Sequence, residues 1–279
     1  MNSGRPKTLR LMSLALSVLL GLSVAAGAAS RGADGKYEKR TSSHFVLHQD
    51  VAIDKTSGLR GSRRFEQELL KVLEKAYDRM DARLGLRPRR PIVVVVHDAA
   101  IYDRRFGSSF RFPSAGFYGG EVHVRGDVFV HMELVRTLHH ELVHAAFHAE
   151  LPSLVLPAWF NEGLAEWFGA RGMGRHSLTR GQAHHLSTVA RDGGLYPLNE
   201  LSAASFGGLE PGAAQLAYIE SHAFFEYLGR RYSERKIRDV CRELVRSHDL
   251  ERAFQKTFKT KLATLESGFY ADIMANVRP

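Results

Sequence analysis

From Arg63 to Leu84 the apolar residues Phe65, Leu69, Leu73, Ala76, Tyr77, Met80 and Leu84 recur every three or four positions. That spacing predicts an amphipathic helix of about six turns with one stripe turned to a core. Pro88 and Pro91 stop it, since proline offers no N–H and crowds the preceding turn. Strand patterns flank this helix. Ser43–His48 alternates, and Ile92–Val96 is an unbroken β-branched run of the kind buried on both faces. Strand, helix, strand in this order predicts a right-handed crossover in a mixed sheet. Gly116-Phe117-Tyr118-Gly119-Gly120 predicts a tight turn, and the alternation of Glu121–Arg125 an exposed or edge strand.

Downstream the period becomes helical. Met132–Ala149 carries Leu134, Val135, Leu138, Leu142 and Ala145 as a buried stripe, with His140, Glu141, His144 and His148 on the adjacent face. After the Pro152–Pro157 loop, Ala158–Ala170 is apolar almost all round through Trp159, Phe160, Leu164, Trp167 and Phe168, which predicts a buried helix. Further helices are expected over Thr179–Arg191, Gly212–Tyr232, Ser233–Ser247, Leu250–Phe258 and Lys261–Asn276. The Gly-, Ser- and Pro-containing loop between Asp192 and Pro211 is a candidate cleft rim. The expected class is α+β: a mixed-sheet subdomain over 37–150, then a mainly helical subdomain over 151–279.

The first 29 residues read differently. Arg5, Lys7 and Arg10 precede a charge-free apolar run, Leu11–Val24, and Ala26-Gly27-Ala28 resembles a small-residue cleavage site. This predicts an export signal and a periplasmic or extracellular protein without a stable membrane span after cleavage. An uncleaved membrane anchor is the alternative. Three of the formal +9 charges lie in that segment, leaving +6, and the remaining cations are dispersed apart from Arg87–Arg90. Such a distribution argues against a nucleic-acid partner. The single cysteine, Cys241, excludes an intramolecular disulfide and fits a buried helical stripe.

The chemistry gathers between His139 and Glu166. In His140-Glu141-Leu142-Val143-His144 the two histidines lie four apart, on one helix face and one turn apart. Glu141 can reach a metal-bound water as a base. Seventeen residues separate His144 from Glu162, enough to end one helix and start another. Two histidines and a carboxylate, with the fourth position left to water, form the ligand set of catalytic zinc. These residues predict a zinc hydrolase acting on peptides. His148 is about 12 Å along the axis from His140, too far to share one ion. His139 points about a hundred degrees away and is expected to be structural. Tyr218, with His222 second, is the candidate for stabilising developing oxyanion charge.

His140-Glu141-x-x-His144, followed by Leu156-Pro157-Ala158-Trp159-Phe160-Asn161-Glu162-Gly163-Leu164-Ala165-Glu166, resembles the gluzincin metallopeptidases. The likeness is nearest to the bacterial peptidase-MA-like domains and more distant to thermolysin and the Asn-Glu-Gly aminopeptidases. It implies a zincin-like fold with one Zn2+ per chain on His140, His144 and Glu162, and Glu141 as general base. Glu166 is then the carboxylate behind a ligand histidine, which fixes its tautomer. The resemblance also implies an edge strand along the cleft, to which an extended peptide adds. The aminopeptidases' Gly-x-Met-Glu-Asn segment has no counterpart in Gly119-Gly120-Glu121-Val122-His123, so an endopeptidase of peptide or protein substrates is expected. The competing expectation is a catalytically silent zincin-fold binding or scaffold module of the cell envelope.

Overall fold

The computed structural model describes residues 37–50, 62–107, 115–126 and 129–276; the expected export signal over 1–29 lies outside them. The fold is mixed α+β. Its N-terminal half runs β1 (Tyr37–Thr41), β2 (Phe45–Asp50), α1 (Ser62–Leu84), β3 (Ile92–His97), α2 (Ala99–Phe106), β4 (Gly116–Tyr118) and β5 (Val122–Arg125). The strands form one sheet in the order β1-β2-β3-β5-β4. Strands β2 and β3 are parallel, with Phe45 opposite Ile92, so α1 spans a crossover as its flanking patterns predict. Strand β5 is parallel to β3, whereas β1 and β4 run antiparallel to their neighbours.

The edge of the sheet differs from the expectation. Strand β5 lies inside, between β3 and β4, and the three-residue β4 is the edge. The polar positions of β5 are half-buried and have side-chain partners from α2 and β4. His123 lies against Phe106 and Phe117, and Arg125 makes a two-pronged pair with Asp103 of α2. Strand β4 falls where the pattern predicts a turn, and β1 and α2 have no forecast. In β1, Tyr-Glu-Lys-Arg-Thr lacks apolar alternation and is held through its ladder with β2. Helix α2 has only eight residues and is opened by Asp98, whose carboxylate accepts from the Ala100 and Ile101 N–H groups.

Buried His97 and half-buried His123 form a pair within this sheet, Nε2 to Nδ1 3.0 Å apart. Burial, then the neighbouring His123 and Arg105, depress His97 to about 3. Burial, then Arg105, depress His123 to about 4. The unfolded chain therefore binds these protons more readily, so the pair's contribution is complete above pH 6.5 and is lost as pH falls toward 4 and 3. The slope is about 1.4 kcal/mol per pH unit for each histidine. Denaturant unfolding at pH 7 and pH 5 should show this loss, and His123→Gln should reduce the difference by about half of the pair's share.

The C-terminal half is helical: α3 (Met132–Glu150), α4 (Ala158–Gly172), α5 (Arg180–Arg191), a 3-10 turn at Phe206–Gly208, α6 (Pro211–Tyr232), α7 (Glu234–Ser247), α8 (Leu250–Phe258) and α9 (Leu262–Asn276). One continuous hydrophobic core joins Leu47 and Val94 of the sheet to Leu138, Trp159, Trp167, Phe224 and Phe254. Helix α4 is its centre, buried all round between α3 and α6. Gly163 permits the close approach of α4 to the α6 backbone, since a Cβ there would stand 2.6 Å from the Ser221 carbonyl oxygen of α6. Cys241 is fully buried in α7, and burial pushes its thiol up and keeps it protonated. Among the described residues, no helix is long and apolar enough to cross a membrane.

Candidate metal centre

Helices α3 and α4 lie face to face, and the face of α3 bearing His140, Glu141 and His144 meets the second turn of α4. Nε2 of His140 is 3.3 Å from Oε2 of Glu162, and Nε2 of His144 is 3.6 Å from the same oxygen. The two rings stand edge to face with centroids 4.9 Å apart. All three ligand-type atoms lie within 4.8 Å of one another, a buried group that could hold a metal ion. It is the one group of three or more such side chains among the described residues.

Each histidine is also fixed from behind. Nδ1 of His140 is 3.2 Å from Oε1 of Glu166, and Arg136 grips both oxygens of that carboxylate at 2.7 and 2.5 Å. Nδ1 of His144 is 3.0 Å from Oδ1 of Asn161. With each Nδ1 so engaged, both Nε2 atoms are directed at Glu162. The sequence pattern assigns no role to Asn161 or Arg136. Asn161 was visible only as the residue before Glu162, and Arg136 lies one turn before His140, where only the α3–α4 contact pairs it with Glu166.

Burial alone would push the Glu162 carboxyl up, yet the two histidines hold it far below the usual carboxylate range. Burial likewise opposes charge on His140, but hydrogen bonds to Glu162 and Glu166 hold it well above its ordinary value. Glu141 is buried, which raises its carboxyl; the charges on His140 and His144 and the main-chain N–H of Tyr118 offset part of this. The cluster is a concentration of carboxylate around two imidazoles, suited to a divalent cation.

The loop before α6 acts as the cap of α4. Pro157 at the helix start offers no side-chain cap. Instead the Ala158 and Trp159 N–H groups donate to the carbonyls of Ala203 and Leu201. Glu220 accepts from the Tyr196 N–H and Glu266 from the Leu198 N–H, pinning the same loop. The Asp192–Pro211 segment thus buttresses the helix that carries Glu162.

Tyr218 sits half-buried beneath Phe206, ring centroids 5.1 Å apart. Burial, then the charges of Glu162, Glu166 and Glu141, push its hydroxyl far up, so it remains a donor within the field of the cluster. His222 is engaged elsewhere: its Nε2 is 3.2 Å from Glu226, which pairs with Arg171. His139 bonds the Val135 carbonyl and lies against Phe168, away from the cluster. His148 is exposed at the end of α3 and bonds Tyr118. Compared with known proteins, the chain matches no family model and no curated sequence. The functional reading therefore rests on the site itself.

Proposed function

We propose that this chain is a zinc-dependent peptidase of the gluzincin kind, with His140, His144 and Glu162 as ligands and Glu141 as general base. The observation that carries the reading is the distance of one Glu162 oxygen from Nε2 of each histidine. Tetrahedral zinc with bonds of about 2.0–2.2 Å requires ligand atoms roughly 3.3–3.6 Å apart. The two His–Glu separations are 3.3 and 3.6 Å. A two-histidine, one-carboxylate set suits zinc and leaves a fourth direction for water.

When bound, zinc supplies Lewis acidity toward a carbonyl oxygen and lowers the pKa of a coordinated water. Glu141, adjacent to the ligands and buried, takes a proton from the attacking water and returns it to the leaving amine. Burial raises its carboxyl above the usual carboxylate range, the direction that favours holding the transferred proton. Tyr218 keeps its proton and donates to the oxygen on which charge develops. By the resemblance, an extended peptide would add along the β4 edge of the sheet. The N-terminal apolar segment supports an envelope or extracellular setting, hence an endopeptidase of exported proteins or peptides.

Purified protein should carry about one zinc per chain and cleave casein or a quenched peptide library. Chelation should abolish cleavage and added zinc restore it. A protein that binds zinc yet cleaves nothing across a broad panel would instead be the silent binding module. Glu166→Ala should weaken zinc affinity by about 10- to 100-fold, because His140 loses its partner. Competition with a chromophoric chelator measures this, and unchanged affinity would remove Glu166 from the site.

A further inference from the structure

Strand β4 ends on Tyr118, and two groups of that residue reach α3. The Gly119 N–H to Glu121 and Arg125 N–H to Ala115 bonds set the register of the β4–β5 pair. The antiparallel alternation then directs the Tyr118 N–H away from β5, where it meets the carboxylate of Glu141. The Tyr118 hydroxyl lies 2.6 Å from Nδ1 of His148, with the rings edge to face. Glu141 and His148 are seven residues apart, two turns on one helix face, with His144 between them. At the other end of the strand, a Cβ on Gly116 would stand 2.8 Å from Thr137 Cγ2, so β4 lies directly along α3. Beyond Tyr118 the turn continues through Gly120 at φ +94°, where a Cβ would meet only open space.

We propose that Tyr118 and His148 form a latch that fixes the edge strand against α3 and thereby positions Glu141. The inference rests on the reading of Glu141 as general base. His148 holds the Tyr118 side chain, and the Tyr118 main chain holds the Glu141 carboxylate beside the cluster. Both are positioning residues. Their side-chain bond is exposed and contributes little to global stability, on the order of 1 kcal/mol. Its effect is local, on the edge strand and the base it orients.

Tyr118→Phe, His148→Ala and His148→Asn test the latch by amide hydrogen exchange over residues 115–120, zinc content and peptide hydrolysis. Tyr118→Phe and His148→Ala should speed exchange at Tyr118 by about tenfold, as expected for loss of one hydrogen bond. They should lower kcat by about tenfold with KM and zinc content unchanged, through misplacement of the base. His148→Asn should restore most of both, since its amide can meet the hydroxyl from nearly the same place. Unchanged exchange in Tyr118→Phe overturns the latch; faster exchange with unchanged kcat overturns its positioning role. A wild type inert toward every peptide overturns the hydrolase reading, and exchange then decides the latch alone.

Discussion

Glu141→Gln is expected to lower kcat by about a thousandfold while zinc content stays near one per chain. Removal of a positioned general base costs about 10²- to 10⁴-fold, and Glu141 is the carboxylate beside the cluster that is not drawn into the histidine pairing. Nε2 of both histidines faces Glu162, and Nδ1 of His140 faces Glu166. The amide keeps the shape of the side chain and can still accept the Tyr118 N–H, so fold and ligands are preserved. Stopped-time hydrolysis with parallel elemental analysis separates chemistry from metal loss. Activity within tenfold of wild type would show that the proton acceptor lies elsewhere.

Gly163→Ala should destabilise the fold by about 1–3 kcal/mol or more and weaken metal binding at the same time. The new methyl would meet the Ser221 carbonyl oxygen at 2.6 Å, its carbon at 2.8 Å and the Ser221 Cβ at 2.9 Å. These are main-chain and β-carbon atoms that cannot rotate aside, so α4 and α6 must separate, at an overpacking cost of that size. Glu162 is the preceding residue, and Tyr218 lies one turn before Ser221, so the strain falls on both sides of the site. Alanine's better helix propensity recovers at most about 1 kcal/mol. Gly181→Ala in α5 is the counter-case. Nothing lies within 4 Å of its Cβ position, so the same change should be neutral or stabilising by up to about 1 kcal/mol. Thermal unfolding of the two variants should shift in opposite directions; a fall in both would mean that packing at Gly163 is not the cause.

The centre was legible because its parts lie within one helix and the start of the next. The four-residue spacing of His140 and His144 sets their common face, and the short connection brings Glu162 opposite them. Even Glu166, one turn beyond Glu162, follows from that periodicity. What escaped prediction depends on contacts between segments distant in the chain. Arg136 gains its meaning only when α4 presents Glu166 to it, and His148, set aside as a ligand, is tied instead to Tyr118, thirty residues earlier. The edge strand was misplaced for a related reason. Alternation along Glu121–Arg125 reads as solvent on one side, but β4 pairs along the open edge and Phe106 of α2 packs on His123; the eight residues of α2 carry too little periodicity to announce themselves. Tyr218 and His222 share a helix face four residues apart, and only packing sets one beneath Phe206 and the other against Glu226.

Crystals soaked in zinc and measured at the zinc absorption edge give the most direct test. A single anomalous peak within bonding distance, about 2.0–2.2 Å, of Nε2 of His140, Nε2 of His144 and a Glu162 oxygen is the predicted result. A fully loaded protein whose only peak lies elsewhere, or a peak here that leaves Glu162 uncoordinated, would contradict it.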